Sequence, residues 1–587
     1  MLGSLLCGAL LALGAGIQAP VMPLREIRAG MHGVGRTVFQ GNTIEDFDVE
    51  ILGVLENIGP KQSIILGRLS GGPLAQTGVM QGMSGSPVYV DGKLIGAVAM
   101  AFSFAKEPIA GIRPIEEILR VGATAMPRPG VAAAHWNRKN LTDAFPPPQT
   151  VAAGGTRLVD IATPVSFSGF TRETLDHFGP RLKALGLEPA QGLTGGGTVK
   201  GGAGNPSELK PGSMISVQLM SGDMAVGADG TVTAIDGKSL YAFGHRFLSV
   251  GTTELPFARS EVITLLPNLS TSFKISAARE WMGTITEDRN AAVSGQLGRK
   301  ANLVPLSITV SRANSQGKPV LDNTYRMSMV NDRFLSPLLL QMAIFSTIDS
   351  TERTLGGGSF AVRGSIQFTD GTEPIHLDNM YSGDFNVPLQ VSMGTASPLA
   401  YVLQSGFSGL KLKDVSLQID AFTDKKQLQI GDVWTSRQQV RPGEDIEILV
   451  NLRGDNGQEI TRKVAWKVPI GAVAGPLFFT VADGATTNMT EYQQFLTVQP
   501  KSPTQLISFL NGLRENTRAY IRVWRADPGF RVDGEDLPSP PPSLSMILAR
   551  QQSAASQALN SKLAELAIDA GNAVVSGAKT VQVEIKE

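Results

Sequence analysis

Short apolar segments separated by glycine-bearing turns fill the first part of the chain, and this pattern constrains the fold more than any other feature. The segments are rich in Val, Ile and Leu, and they lie at 36–39, 47–55, 63–69, 86–90 and 93–100. Strands of this kind, joined by turns such as Asp91-Gly92, are typical of hairpins in a β-barrel or a β-sandwich. Because the chain also has 65 Gly among 587 residues and only 18% charged residues, we predict a mainly β protein.

The later part of the chain continues the β pattern with some helical segments. A second hairpin candidate lies at 232–243, and residues 333–350 carry the clearest internal helix pattern. Between 430 and 535, apolar and polar residues alternate as they do in the strands of a sandwich-like module. The Ala- and Gln-rich residues 544–575 predict a helical C-terminal tail.

The charge and cysteine content exclude several classes of protein. The 52 Lys and Arg balance the 52 Asp and Glu, so no general attraction to nucleic acid is expected, and aromatic residues are not interleaved with basic clusters. The single Cys cannot form an internal disulfide or a cysteine-based zinc site. Histidine and carboxylate spacings typical of metal sites are also missing, and Asp288-Arg289 is expected to form a local ion pair. We therefore expect no metal, no cofactor and no nucleic-acid partner.

The apolar segment from Leu5 to Ala19 bears on the destination of the protein. It has the length of the hydrophobic part of a signal peptide and is too short to span a membrane as a helix. No Lys or Arg precedes it, so a buried helix or a retained anchor stays an alternative. We expect export, with cleavage near Gln18-Ala19, to the periplasm, the envelope or the medium.

The segment from Gly82 to Ala99, GMSGSPVYVDGKLIGAVA, has the layout of a nucleophile loop of the chymotrypsin type. Such a loop must present a serine oxygen and aim two backbone N–H groups at the developing oxyanion. Ser84 is the candidate nucleophile, and the N–H groups of Gly82 and Ser84 are the candidate oxyanion donors. Glycine at 82 and 85 permits the backbone angles that this turn needs. The alternative is an ordinary Gly-Ser hairpin turn.

A serine nucleophile requires a base, and the chain has five histidines from which to supply it. His245 lies in YAFGHRF, at the end of an apolar strand and directly after Gly244, from where its ring can project into a cleft. His32 lies among glycines, and His135, His177 and His376 fit loops or surfaces better. The alternative for His245 is a structural role at a strand end.

Two segments resemble the stage IV sporulation protein B serine peptidase family. Residues 77–98, TGVMQGMSGSPVYVDGKLIGAV, resemble its serine loop, and residues 230–245, GTVTAIDGKSLYAFGH, resemble the stretch that ends in its catalytic histidine. The resemblance implies that Ser84 is the nucleophile and His245 the base. It also implies a trypsin-like core of two β-barrels with a cleft between them.

The sequence departs from this family in two ways. The serine segment precedes the histidine segment here, the reverse of the family order, although triads occur in several chain orders. The family's acidic residue lies shortly before the serine, whereas residues 61–76 contain no Asp or Glu. A carboxylate from elsewhere would have to replace it, and Asp223 is our first choice. The other candidates are Asp46, Asp48, Asp229, Asp236 and Glu254.

These observations predict a β-rich chain in seven segments. They are a signal-like segment 1–20, a barrel half with Ser84 at 21–125, a linker and broken helix 126–205, a barrel half with His245 at 206–315, a mixed β/α region 316–430, a sandwich-like module 431–536, and a Pro-rich linker with helical tail 537–587. The predicted function is that of an exported serine endopeptidase acting on a protein or peptide through an acyl-enzyme. The alternative is an inactive envelope scaffold or binding protein, with partners bound by the C-terminal modules.

Overall fold

The computed structural model describes residues 19–102, 105–123, 150–153, 156–191, 202–313, 319–351, 358–407, 410–455, 457–497, 500, 502–526, 529–532, 535–537, 540–550, 555–558 and 561–587. Most of the signal-like segment lies outside these residues, as do residues 126–149 of the predicted linker, with His135, and its glycine-rich part at 192–201. The chain divides into two compact units. One comprises Met1–Leu306 and Tyr325–Ser346, and the other comprises Ser307–Thr324 and Thr347–Glu587.

The elements up to residue 297 belong to the first unit. In chain order they are a 3-10 helix Leu24–Glu26, β1 His32–Gln40, β2 Thr43–Gly59, β3 Gln62–Ser70, α1 Leu74–Thr77, β4 Pro87–Val90, β5 Lys93–Phe102, β6 Ile109–Pro114, α2 Ile115–Ala123, β7 Thr150–Ala153, β8 Thr156–Asp160, β9 Thr163–Ser168, α3 Arg172–Ala184, β10 Leu187–Gln191, a 3-10 helix Pro206–Glu208, β11 Met214–Gly222, β12 Ala225–Asp236, β13 Ser239–Ala242, β14 Gly251–Leu266, β15 Phe273–Arg289 and β16 Ala292–Leu297.

The remaining elements follow residue 302. They are β17 Leu303–Ala313, β18 Pro319–Val330, α4 Leu335–Thr351, β19 Gly358–Phe368, β20 Ile375–Gly383, α5 Val387–Gln404, β21 Leu412–Phe422, β22 Gln427–Thr435, β23 Gln439–Val440, β24 Asp445–Gly454, β25 Glu459–Lys467, β26 Gly475–Asp483, α6 Gly484–Thr497, α7 Pro503–Asn511, β27 Arg518–Arg525, β28 Gly529–Val532, β29 Glu535–Leu537, α8 Pro542–Arg550, β30 Ala555–Ala558, β31 Ser561–Asp569, β32 Val574–Ser576 and β33 Ala578–Ile585.

The first barrel is a closed ring of antiparallel strands in the order β4-β1-β2-β3-β6-β5, with β5 pairing back to β4. Its strands follow the apolar segments of the sequence, and the Asp91-Gly92 turn joins β4 to β5 with positive φ at both residues. Two such residues in succession match a hairpin turn to the twist of its strands. The interior is filled by apolar side chains, among them Phe47, Ile51, Ile65, Leu69, Val88 and Ile112.

The second barrel closes in the same way, in the order β12-β13-β16-β15-β14-β11, with β11 pairing back to β12. The predicted hairpin around Asp236-Gly237 is the β12–β13 connection, in which Asp236 lies opposite Ser239. Strand β9 extends the sheet beyond β12, and β10 runs parallel to β9. The predicted mainly β fold is therefore confirmed, with barrel-like rings in the first unit.

The second unit holds a further antiparallel sheet and a sandwich-like pair of sheets. Strands β17-β21-β19-β20 are neighbours in the first of these. The pair consists of β25-β24-β22-β32 and β23-β33-β26-β27-β31, which share one core that includes Ile448, Phe479 and Ile521. The helix predicted at 333–350 is present as α4 Leu335–Thr351.

The predicted helical C-terminal tail is wrong for most of its length. Among its described residues only α8 is helical, and residues 561–569, 574–576 and 578–585 are strands. Ile568, Val583 and Ile585 are buried in the sandwich core, so pairing with β26 and β27 overrides the helix propensity of the Ala-rich sequence. Within the described residues, no helix is both long and apolar enough to cross a membrane.

Candidate active site

The loop that carries Ser84 is a tight turn leading into β4. Gly82 and Gly85 have φ of +89° and +93°, which L side chains rarely adopt. The N–H of Ser86 donates to the carbonyl of Met83 at 2.9 Å, and the N–H of Gly85 donates to Val98 at 2.7 Å. Ser84 is fully buried, and its Oγ has no hydrogen-bond partner. No hydrogen bond therefore fixes the orientation of the hydroxyl.

The turn that carries His245 follows β13 directly and has an unusual backbone. Phe243 and Gly244 have φ of +71° and +67° in succession. For a bulky residue such as Phe243 this conformation costs on the order of 1–3 kcal/mol, and such strain collects at functional sites. Phe243 is buried, and its ring lies where a side chain at Gly230 would have to be. The strained turn therefore depends on the surrounding packing.

The structure brings the two turns together. A Cβ at Gly85 would lie 2.5 Å from the nitrogen of Phe243, and a Cβ at Gly244 would lie 3.1 Å from the carbonyl oxygen of Val98. That same oxygen accepts the N–H of Gly85. Ser84 and His245 each neighbour one of these two glycines in the chain. Glycine is thus required at both contacts, because any side chain would separate the serine turn from the histidine turn.

Two threonines of β12 fasten the serine loop to the second barrel. The hydroxyl of Thr231 donates to the carbonyl of Gly82 at 2.9 Å, and that of Thr233 donates to Gly85 at 2.8 Å. The N–H of Thr231 also donates to the carbonyl of Ser84 at 2.9 Å. These bonds satisfy the carbonyls of the loop and leave its N–H groups pointing elsewhere. Among the described residues, the N–H groups of Gly82 and Ser84 enter no hydrogen bond.

The imidazole of His245 is buried and neutral. Its Nδ1 lies 2.6 Å from the carbonyl oxygen of Arg246, which can only accept, so Nδ1 carries the proton. Nε2 then has the lone pair, and it is buried without a hydrogen-bond partner. Burial lowers the pKa of His245 below its ordinary value of 6.5. The ring is therefore uncharged at neutral pH and able to accept a proton at Nε2.

Asp160, at the end of β8, is the carboxylate whose charge acts on His245. It raises the pKa of the imidazole against the larger effect of burial, while the guanidinium groups of Arg113 and Arg246 lower it. Arg113 Nη2 lies 3.9 Å from Asp160 Oδ1. Sequence reasoning missed Asp160, because it ends an ordinary strand and belongs to no motif.

The structure does not bring Asp223 to His245. Asp223 lies in the turn between β11 and β12, where its Oδ2 accepts the backbone N–H of Arg326 at 2.7 Å. The other candidates also have partners of their own. Asp46 pairs with Arg36, Glu254 pairs with Arg299, and Asp229 accepts a hydrogen bond from the hydroxyl of Ser276. Asp236 lies in the hairpin turn between β12 and β13, and Asp48 lines a groove.

Asp288 anchors the segment after His245 and was also missed in this role. Its carboxylate accepts the N–H groups of Phe247 at 2.8 Å, Leu248 at 2.7 Å and Val250 at 3.2 Å. Burial raises the pKa of Asp288 to about 6, against the effect of these bonds. The expected ion pair with Arg289 is wrong, because Arg289 pairs with Glu287 at 2.7 Å instead. Asp288 therefore fixes the backbone that carries the imidazole.

A buried lysine lies against Gly82 of the loop. The alkyl chain of Lys274 packs against Gly82, where a Cβ would lie 3.2 Å from Lys274 Cδ. Its Nζ donates to the hydroxyl of Thr37 at 2.7 Å. Burial lowers the pKa of Lys274 to about 7, and the carboxylate of Asp229 opposes this. Lys274, from β15 of the second barrel, therefore contacts both the loop and Thr37 in β1 of the first barrel.

A groove of about 830 Å³ in the first unit is separate from this site. Its lining includes His32, Arg36, Tyr89 and Lys210, and contains neither Ser84 nor His245. His32 therefore lies in the groove and is not the base next to Ser84. No group of three or more His, Cys, Asp or Glu side chains suited to a metal ion occurs among the described residues.

Residues 16–114 match the model of the family described as SpoIVB peptidase S55. The match contains the Ser84 loop and ends before Asp160 and His245. No curated protein and no solved structure matches the chain. The resemblance predicted from the sequence is therefore confirmed over the first barrel, and the match supports a serine peptidase function in general. The exchanged order of the serine and histidine segments stays a prediction.

Proposed function

We propose that this chain is a serine endopeptidase in which Ser84 is the nucleophile and His245 the general base. The observation that carries the proposal is the contact between the two turns, in which Gly85 and Gly244 both pack against the Val98 carbonyl. One turn comes from the barrel that matches the peptidase family, and the other comes from the second barrel. Two barrels that each supply one catalytic group match the chymotrypsin-type version of the serine peptidase site.

The reaction would follow from the protonation states of the site. Nε2 of His245 accepts the proton of the Ser84 hydroxyl as Oγ bonds to the peptide carbonyl carbon. The N–H groups of Gly82 and Ser84 then donate to the oxyanion. Nε2 returns the proton to the leaving amine as the peptide C–N bond breaks. Water then bonds to the acyl carbon as Nε2 takes its proton, and Nε2 gives that proton to Ser84 Oγ as the ester C–O bond breaks and the acid product leaves.

The burial of Ser84 and His245 means that a substrate needs a route to them. Ser84 is 0% exposed and His245 is 1% exposed. A peptide can reach Oγ only after the surrounding chain moves, so the described conformation is a closed one. The same burial favours the alternative of a non-catalytic scaffold, which would keep these residues for packing alone.

A fluorophosphonate probe separates these two functions. The parent protein should be labelled covalently, Ser84→Ala should not, and Ser86→Ala should be labelled like the parent. Ser86 is a matched control, because it is also fully buried with an unpartnered hydroxyl. Labelling that persists in Ser84→Ala, or is missing from the parent, would support the scaffold.

The pH dependence of labelling tests the role of His245. Because burial lowers its pKa, the imidazole stays neutral to below its ordinary 6.5. The labelling rate should therefore fall only at a pH below 6.5 and should stay level above it. A midpoint at or above 6.5 would show that a different group is the base.

We also propose that the protein is exported, on the basis of the apolar segment Leu5–Ala19. Its substrates would then be extracytoplasmic proteins or peptides, and the sandwich of the second unit could bind envelope partners. N-terminal sequencing of the protein recovered from a secreting host tests this. A mature chain that begins near residue 20 supports export, and an intact N-terminus in the cytoplasm contradicts it.

A further inference from the structure

The end of β8 pairs with β5, the strand that also contacts both the serine turn and the histidine turn. Asp160 is opposite Met100 in the β5–β8 pairing, and the next N–H, that of Ile161, donates to Ala99 at 2.9 Å. A Cβ at Gly244 would lie 3.4 Å from the Cβ of Ala99. Strand β5 therefore carries the Gly85 contact, the Gly244 contact and the pairing with Asp160 within a few residues.

Buried charges surround Asp160 at this point. Its side chain is 8% exposed, and that of its partner Arg113 is 1% exposed. Arg113 also lies 3.6 Å from Glu117 of α2, and Arg246 is buried beside the imidazole. Asp288 is fully buried too, but its oxygens are occupied by the amides of the loop. Asp160, which pairs with Arg113, is the carboxylate whose charge acts on the ring.

We propose that Asp160 is the positioning residue that stabilises the charged form of His245, in place of the carboxylate missing before Ser84. This rests on the proposed function of Ser84 and His245. Residues 61–76 supply no acid, and Asp160 follows the region that matches the family. The acid therefore comes from a strand outside the residues that match the family.

The two tasks of a triad acid are divided in this site. The carbonyl of Arg246 holds the proton on Nδ1 and so fixes the tautomer and the orientation of the ring. Asp160 supplies the negative charge that offsets the imidazolium formed when Nε2 takes the proton of Ser84. In triads where the acid performs both tasks, replacing it by Asn costs about 10⁴ in rate, because the wrong tautomer forms. Here Asp160→Asn should cost less, about 10 to 100-fold in labelling rate.

The decisive experiment titrates His245 by ¹⁵N NMR in a Ser84→Ala background. Asp160→Asn should lower the titration midpoint of His245 and leave the proton of the neutral ring on Nδ1. Asp160→Glu should restore the midpoint in part. Asp223→Asn is the matched control and should change nothing, because its carboxylate is held by Arg326.

This readout does not require Ser84 to be reactive, so its result is independent of the proposed function. An unchanged midpoint in a folded Asp160→Asn protein overturns the role of Asp160, even if Ser84 is labelled. A lowered midpoint supports it, even if Ser84 is not. If Asp160→Asn does not fold because Arg113 loses one of its two carboxylate partners, Arg113→Gln is compared with the double variant Arg113→Gln/Asp160→Asn. A lower midpoint in the double variant supports the proposal, and equal midpoints overturn it.

Discussion

The two barrels of the first unit share one architecture but differ in what fills them. Each closes antiparallel strands into a ring. The first is filled by apolar side chains such as Phe47 and Ile51. The buried residues of the second include Asp229 and Lys274 together with the serines Ser216, Ser260 and Ser276. Ring closure satisfies the backbone in both barrels, so the interior is free to be either an apolar core or a directional polar network.

The two barrels also contribute different parts of the candidate site. The apolar barrel presents the serine loop, whereas the polar barrel presents His245 and supports the loop through Lys274, Thr231 and Thr233. The stabilisation that apolar packing gives a loop does not depend on pH, whereas buried ionisable groups make the free energy of unfolding depend on their protonation. Four substitutions test how far this contrast holds.

The largest effect is expected where the barrels meet. In Gly85→Ala the new Cβ would lie 2.1 Å from the Thr231 carbonyl and 2.5 Å from the Phe243 nitrogen. Both neighbours are backbone atoms, which cannot move aside easily. The free energy of unfolding, measured with urea, should therefore fall by more than ~4 kcal/mol. Gly92→Ala is the control, since it has a similar φ but no atom within 4 Å. It should cost only ~1 kcal/mol. Equal losses would show that backbone strain alone is responsible.

The next effect tests the apolar barrel. Ile51 is 0% exposed, so Ile51→Ala should lose ~2–5 kcal/mol of unfolding free energy through transfer and cavity terms. The loss should be the same at pH 6 and pH 9, because no ionisable group is involved. Ile263→Ala, at a half-exposed position, should cost far less. A loss at Ile51 that changes with pH would contradict an apolar interior.

Lys274→Met tests the polar barrel. The folded pKa of Lys274 is about 7 and its ordinary value is 10.5. Between these values the unfolded chain binds more protons, so the stability of the parent should rise with pH across this window. Lys274→Met should lack this rise, and exposed Lys238→Met should retain it. Urea midpoints at pH 7, 8.5 and 10 measure the difference. Parallel curves for the parent and Lys274→Met would contradict the assignment.

The smallest effect concerns one hydrogen bond between the barrels. Thr233→Val keeps the shape of the side chain but removes the donor to the Gly85 carbonyl. The expected cost is ~1 kcal/mol, the net value of one such bond with a buried acceptor left unpaired. Exposed Thr43→Val should be neutral. A neutral Thr233→Val would mean that the loop carbonyl finds another donor.

Much of the fold could be predicted from the sequence. The strands of the first barrel and the turns at Asp91-Gly92 and Asp236-Gly237 follow from apolar runs and turn residues, which act over a few positions. The C-terminal tail could not be predicted, because its Ala-rich sequence favours a helix locally. Sheet pairing in the sandwich outweighs that preference, and it depends on strands far away in the chain.

Part of the candidate site could also be predicted from the sequence, and part could not. The sequence by itself determined the nucleophile turn, because glycines with positive φ are needed at 82 and 85 whatever the rest of the fold does. It also pointed to His245, through its position at a strand end. Only the tertiary structure decided which carboxylate lies where its charge acts on the imidazole, since neither Asp160 nor Asp223 belongs to a motif in the sequence. Electrostatic influence depends on distance and burial, and these are fixed by the pairing of β8 with β5.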